Sequence, residues 1–87
     1  MGRDIQWDGD AWEDYTEWQR IDKAIAKRIN ELIKDAQRDP FTGRGKPEPL
    51  KHDLSGLWSR RISDTDRLVY GVKNDKLIIL SCKVHYD

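Results

Sequence analysis

The chain has 87 residues, enough for one domain, because autonomous domains begin near about 50 residues and two would not fit. Lys plus Arg and Asp plus Glu number 16 each, so the formal net charge is zero and a uniformly polybasic nucleic-acid tail is excluded. Charged residues make up 37% of the chain, against roughly 25% in an average globular protein, while Leu, Ile, Val and Phe together number only 19.

Four Trp and three Tyr offset that lean composition, since each buried aromatic removes about 150–250 Å² from water. A single domain over residues 1–87 with a small core and modest stability is expected, and dimerisation would add to it. Cys82 is alone, which excludes an internal disulfide and suits a reducing compartment. No apolar run approaches the roughly 18 residues of a membrane span, and the acidic start has no signal-peptide core, so a cytoplasmic protein without membrane association is expected. The zero net charge is a sum of opposites. Residues 1–22 carry seven acids and two bases, and the rest of the chain carries fourteen bases and nine acids. That bias suggests a polyanion partner for the second part.

Ile5 and Trp7 flank Gln6 in a short alternation that predicts a first strand, and Asp8 or Asp10 is suited to cap a helix after it. Ala11, Trp12, Tyr15, Trp18 and Gln19 recur at helical spacing and predict a first helix over about 10–20. Asp22 is a good N-cap for a second helix, whose apolar stripe is Ala24, Ile25, Ile29, Leu32, Ile33 and Ala36. The short junction predicts an antiparallel αα-hairpin.

Asp39-Pro40 ends the second helix, because a residue before proline is pushed out of helical geometry. From there to about Asp53 runs a long loop with all three prolines and Gly43 and Gly45. Structureless loops of about 12–15 residues inside a compact domain are usually functional or disordered. This one is also basic, and reads as a working loop. Residues 57–62 alternate as a strand, Ser63-Asp64-Thr65-Asp66 is turn chemistry, and residues 67–72 form the next strand. Asn74-Asp75 turns again into a strand over 76–86, whose apolar run 77–80 suggests cover on both faces. The order β-α-α-β-β-β predicts an α+β domain with two helices packed on one antiparallel sheet.

Several chemistries are poorly supported. His52, His85 and Cys82 show no metal-ligand spacing, and no metal or cofactor is expected. Gly43-Arg44-Gly45-Lys46 fails as a phosphate loop, because Pro47 stands where Ser or Thr should come after the lysine. Leu54-Ser55-Gly56-Leu57 is not a nucleophile elbow. What remains is Glu48 and Lys51 at the loop, Arg61 and Arg67 on the middle hairpin, and His85-Tyr86 near the chain end. Cleaving an RNA backbone needs a base for the 2′-hydroxyl, an acid for the 5′-oxygen and cations for the phosphorus transition state. The set supplies all three. Singly, each residue also has an ordinary explanation: a surface glutamate, edge-strand charges that deter aggregation, a frayed terminus.

The residues taken together resemble a known family. Arg28-Ile29-Asn30-Glu31-Leu32-Ile33-Lys34-Asp35, Gly45-Lys46-Pro47-Glu48-Pro49-Leu50-Lys51, Leu54-Ser55-Gly56, Trp58-Ser59-Arg60-Arg61-Ile62, Arg67-Leu68-Val69-Tyr70 and His85-Tyr86 carry the match, from about Ile5 to Tyr86. The chain resembles the Txe/YoeB family of toxins in the RelE-like superfamily, the toxin halves of type II toxin–antitoxin pairs. The resemblance implies a RelE-like fold and a ribosome-dependent mRNA interferase that cleaves mRNA in the A site of the 30S subunit. It implies Glu48 as general base, His85 as general acid, Arg67 as the phosphate-stabilising cation, Tyr86 as a substrate-orienting group, and Lys51 and Arg61 as supporting cations. It also implies a homodimer, a YefM- or Axe-like antitoxin, and operator DNA bound only through that antitoxin. A non-catalytic ribosome-binding module, an antitoxin-dependent corepressor and a small dimeric scaffold are the competing readings. Asp87 comes after the His-Tyr pair at which family chains commonly stop, adding carboxylates where phosphate is expected.

Strand parity makes one further expectation. A two-residue turn at Asn74-Asp75 with straight strands would put Arg67 opposite Cys82, away from the face of His85. A shared site therefore requires an odd loop, a β-bulge or a strand break between them, and one bulge would place Arg67 opposite Lys83.

Overall fold

Asp22 is the single residue between two helices, and it serves both. Its backbone N–H donates to Trp18 O, closing α1 (Ala11–Ile21), and its side chain accepts from the amides of Ala24 and Ile25, each at 3.1 Å, opening α2 (Lys23–Arg38). The chain folds back on itself there: Tyr15 Oη donates to Asn30 Oδ1 at 2.7 Å, from positions nearly equidistant from the junction. At the start of α1 the expected side-chain cap is absent. Asp10 occupies the cap position without a capping bond, and the Asp8 carbonyl accepts from Ala11 N instead.

The computed structural model describes residues 2–84. Beside the helices it contains five strands, β1 (Asp4–Trp7), β2 (Glu48–Pro49), β3 (Trp58–Arg61), β4 (Arg67–Lys73) and β5 (Lys76–Val84), in the sheet order β1-β5-β4-β3-β2. The α+β class is as expected, with one difference in the sheet. β2 to β5 are antiparallel neighbours, but β1 runs parallel to β5, with Ile5 beside Leu77 and Trp7 beside Ile79. Alternation along a strand fixes which side chains share a face and carries no information on strand direction, so the sheet is mixed where an antiparallel one was predicted.

The core lies between the helices and one face of the sheet. Ile29, Leu32, Ile33 and Ala36 of α2 meet Leu68, Tyr70, Leu77, Ile79 and Cys82 of the strands. Fully burying one large apolar side chain contributes about 1.5–3 kcal/mol, so this small set provides most of the driving force. The α2 stripe is displaced at its start: Ala26 is buried and Ala24 exposed, because the first turn overhangs the junction. Trp18 Nε1 donates to Cys82 O at 2.8 Å and fastens α1 to β5. The helices cover one face only. Ile78 and Leu80 remain partly exposed and line an open pocket with Leu57 and Val72, so the 77–80 run is interior by hydrogen bonding rather than covered on both faces.

The β4–β5 connection is the two-residue turn Asn74-Asp75, with φ of 53° and 60° and Lys73 paired with Lys76. Left-handed backbone at both central positions matches the twist of a tight hairpin. The register then shifts twice. Tyr70 pairs with Ile79, Val69 with Ser81 and Arg67 with Val84. An irregularity is present as expected, but it amounts to two extra residues on β5 rather than one, which restores the parity of a regular hairpin, so the pairing alone does not bring Arg67 to the face expected for His85. Arg67 is therefore opposite Val84 and not Lys83. His85, Tyr86 and Asp87 lie outside the described residues.

Candidate active site

The long loop has structure that no periodicity announces. Glu48 and Pro49 form β2, which pairs with β3 so that Glu48 faces Ser59 and Pro49 faces Trp58. Two residues are too short to show alternation, and the flanking prolines argue against a strand except at a sheet edge, which is where β2 sits. A 3₁₀ turn at His52–Leu54 comes next, with Leu50 N donating to Leu57 O at 2.8 Å.

Cross-strand pairing then builds the site on the face away from the helices. Glu48 faces Ser59, Ser59 faces Val69, and Arg61 faces Arg67 in the adjoining register. Arg67 Nη1 donates to Glu48 Oε1 at 2.7 Å and lies 3.4 Å from Ser59 Oγ. The Arg67 side chain is 17% exposed and that of Glu48 56%, so the carboxylate is presented to solvent on a cation held in the sheet. A pocket of about 360 Å³ opens beside the pair, lined by Glu48, Pro49, Leu50, Lys51, His52, Leu54, Ser59 and Arg67. Of the predicted residues, the structure brings Glu48, Lys51 and Arg67 together. Arg61 is exposed beside Arg67 in register but does not line the pocket, and His85 and Tyr86 are outside the described residues. Ser59 and His52 complete the lining. Ser59 was legible as the pleat position facing the same side as Arg61, whereas His52 depends on a turn with φ of 59° that no pattern marks.

Arg60, named in the sequence only as part of a matching motif, was given no role. Its side chain is fully buried, and its five N–H donors each have a partner. Nε donates to Tyr70 Oη at 2.9 Å, Nη1 to Asp35 Oδ2 at 2.7 Å and Arg44 O at 2.9 Å, and Nη2 to Asp39 O at 2.6 Å and Thr42 O at 2.8 Å. Tyr70 Oη donates onward to Pro40 O at 2.6 Å, and burial pushes its ionisation upward. Alternation did hold a signal, because it puts Arg60 on the same face as Trp58 and Ile62.

The acidic first segment supplies none of the pocket lining, yet it reaches β5. Glu17 of α1 accepts from Lys83, which lies 5.7 Å from the Trp18 ring centroid. That bond lowers the Glu17 carboxyl and raises the Lys83 ammonium from their ordinary values. The two charge domains therefore touch near the end of β5. Among the described residues no group of three or more His, Cys, Asp or Glu could hold a metal ion, and no helix is long and apolar enough to cross a membrane.

A helical hairpin on one face of a small sheet, with a carboxylate–guanidinium pair beside an open pocket on the other, defines a small α+β domain of the RelE-like fold. Residues 7–86 match the family described as YoeB-like toxins of bacterial type II toxin–antitoxin systems, and the chain belongs to that family. It is 60% identical over 80 residues to Toxin YoeB of Escherichia coli (strain K12), covering 92% of this chain and 95% of that protein. Among solved structures, the YoeB dimer from Staphylococcus aureus has a TM-score of 0.90 at 45% identity, covering 99% of this chain and all of that one. The YoeB–YefM complex from Staphylococcus aureus gives 0.88 at 44% identity with the same coverage.

Proposed function

We propose that this chain is a ribosome-dependent endoribonuclease that cleaves mRNA in the 30S A site and so stops translation. The observation that carries the reading is the 2.7 Å contact between Glu48 Oε1 and Arg67 Nη1 at the mouth of a pocket that also holds Lys51. The Glu48 carboxylate takes the proton of a 2′-hydroxyl, and the resulting oxygen attacks the adjacent phosphorus. Arg67, whose planar fork suits two phosphate oxygens, stabilises the crowded transition state, with Lys51 and Arg61 as supporting cations. His85 donates a proton to the departing 5′-oxygen and Tyr86 orients the nucleotide. The products are a 2′,3′-cyclic phosphate and a 5′-hydroxyl end, and the protein's own groups suffice without a metal or cofactor.

The resting pair explains the need for a ribosome. Arg67 must pass from Glu48 to phosphate before the carboxylate is free to act as base, and with a mobile RNA the cost of that exchange adds to the cost of ordering the strand. An mRNA held splayed on the ribosome arrives with that ordering already done. Positioned acid and base groups contribute roughly 10² to 10⁴ each, so poor alignment in the free protein leaves little activity.

In the cell the single domain acts in the cytoplasm, as a homodimer like the Staphylococcus aureus relative, and is neutralised by a YefM- or Axe-like antitoxin, through which alone it reaches operator DNA. The test is 5′-end mapping on translated mRNA with wild type, Glu48→Gln, Arg67→Ala and His85→Gln. New A-site ends with wild type, reduced at least about 100-fold in each variant, are expected. Inhibition of translation without new ends, equal in all four proteins, would replace the enzyme with a non-catalytic ribosome-binding or corepressor module.

A further inference from the structure

Resting on that reading of the pocket, we infer that Arg60 is the positioning residue for Glu48, acting through the root of the loop that carries it. The loop leaves α2 at Asp39 and reaches Glu48 nine residues later, with only the two residues of β2 paired to a strand. Its first stretch is gathered around one buried cation: the carbonyls of Asp39, Thr42 and Arg44 accept from Arg60, and that of Pro40 accepts from Tyr70, itself bonded to Arg60. A hydrocarbon core would need none of this. A buried guanidinium demands acceptors on every N–H, and here four of its five are turned toward loop carbonyls and the α2 carboxylate of Asp35, which also accepts from Arg44 N at 2.9 Å.

The loop's path has been cleared to let it lie this close. Gly43 has φ of 111°, and a Cβ there would stand 2.1 Å from Asp35 Oδ2. Gly45 has φ of 81°, and a Cβ there would stand 2.8 Å from Leu32 Cδ2 and 3.1 Å from Arg60 Cβ. The Gly45 carbonyl then accepts from Arg61 N at 2.6 Å, three residues before Glu48 joins β3 opposite Ser59. Arg60 and Arg61 are adjacent, so the side chain of one holds the loop up to Arg44 and the amide of the next holds it at Gly45. The short β2 pairing of two residues does not fix Glu48 alone; the grip upstream sets where the carboxylate meets Arg67.

The experiment uses the full chain with Arg60→Lys, which keeps the charge but has three donors for five acceptors, and Tyr70→Phe, which removes only the hydroxyl. Two readouts are taken: steady-state cleavage of ribosome-held mRNA, with kcat and KM separated, and amide hydrogen exchange residue by residue. In Arg60→Lys the amides of Arg44, Leu50 and Arg61 should exchange at least about tenfold faster while those of Leu77 and Ile79 stay within about threefold. The kcat should fall at least about tenfold at unchanged KM, with no further fall when Arg60→Lys is added to Glu48→Gln, as expected when one residue acts through the other. Tyr70→Phe should show the same pattern at smaller amplitude, and decides the matter if Arg60→Lys does not fold. Exchange that quickens equally in loop and core, a loss confined to KM, or losses that multiply fully with Glu48→Gln would overturn the inference. If wild type makes no cuts, the proposed activity fails, and the exchange pattern still decides whether Arg60 holds the loop.

Discussion

Asp35 accepts from three donors: Arg44 N and Arg60 Nη1 on one oxygen, at 2.9 and 2.7 Å, and Arg38 Nη2 on the other at 2.8 Å. The Arg44 N–H, helped by the Arg60 and Arg38 guanidinium groups against the opposing effect of burial, holds the carboxyl below the ordinary aspartate value. Asp39 is lowered in the same direction by the Thr42 hydroxyl and the Phe41 N–H. A lowered native value means that the unfolded chain binds more protons in the interval between the two values, so stability rises with pH there. Their stabilisation is complete above the unfolded value of about 3.9 and is lost as pH falls through the native values. Urea unfolding from pH 6 downward should therefore show the midpoint falling below about pH 4, and carboxyl NMR should place the Asp35 titration beneath that of an unfolded peptide. At this scale Glu48, Lys51 and Arg67 were assigned roles only through the family resemblance, since each alone reads as an ordinary surface charge, and the structure sets all three around one pocket. Arg60 was given no role, because a charge facing the core reads as a surface charge until the acceptors around it are seen.

Elements were legible where a period had room to repeat. α2, with sixteen residues and a stripe at helical spacing, was bounded at both ends by Asp22 and by Asp39-Pro40, and the structure ends it at Arg38. β3 and β4 were found within a residue of their described limits, and β5 starts at Lys76 as expected, its expected end at Tyr86 lying outside the described residues. β2 was invisible at two residues, β1 was expected to be antiparallel and is parallel, and an irregularity between β4 and β5 was anticipated only through the demand that Arg67 and His85 share a site. The junction offers the clearest element-scale prediction. Asp22→Ala removes two acceptor contacts to the first turn of α2 while its backbone N–H still closes α1. Loss of such a cap costs about 1 kcal/mol, and in a domain of this size that lowers the melting temperature by about 4–8 °C. Asp22→Asn, which keeps an oxygen acceptor, should recover most of the loss in a thermal melt monitored by circular dichroism.

At the scale of the whole molecule, the composition promised a small core, and Cys82 measures how well that core closes. Its thiol is fully buried and sits 3.9 Å from the Ala11 carbonyl at the start of α1. Burial, with some help from the Asp14 and Asp66 charges, pushes its pKa up to about 12. Reaction with a thiol reagent requires both access and the thiolate, and the native state withholds each: at pH 8 a thiol of ordinary pKa near 8.5 is about a quarter ionised, while one near 12 is ionised about once in ten thousand. Labelling must then pass through an opening that separates α1 from β5, where Trp18 Nε1 and Cys82 O are joined at 2.8 Å. A domain at about 0.05–0.15 kcal/mol per residue has roughly 4–13 kcal/mol of stability opposing that opening, so the native labelling rate should be at least about 10³-fold below that in urea. Trp18→Phe keeps most of the packing and removes the hydrogen bond, and it separates two routes. If α1 peels away by itself, labelling accelerates in this variant by more than its loss of global stability explains. If the core opens as a unit, the acceleration matches the change in urea midpoint, and the single cysteine reports the stability of the entire fold.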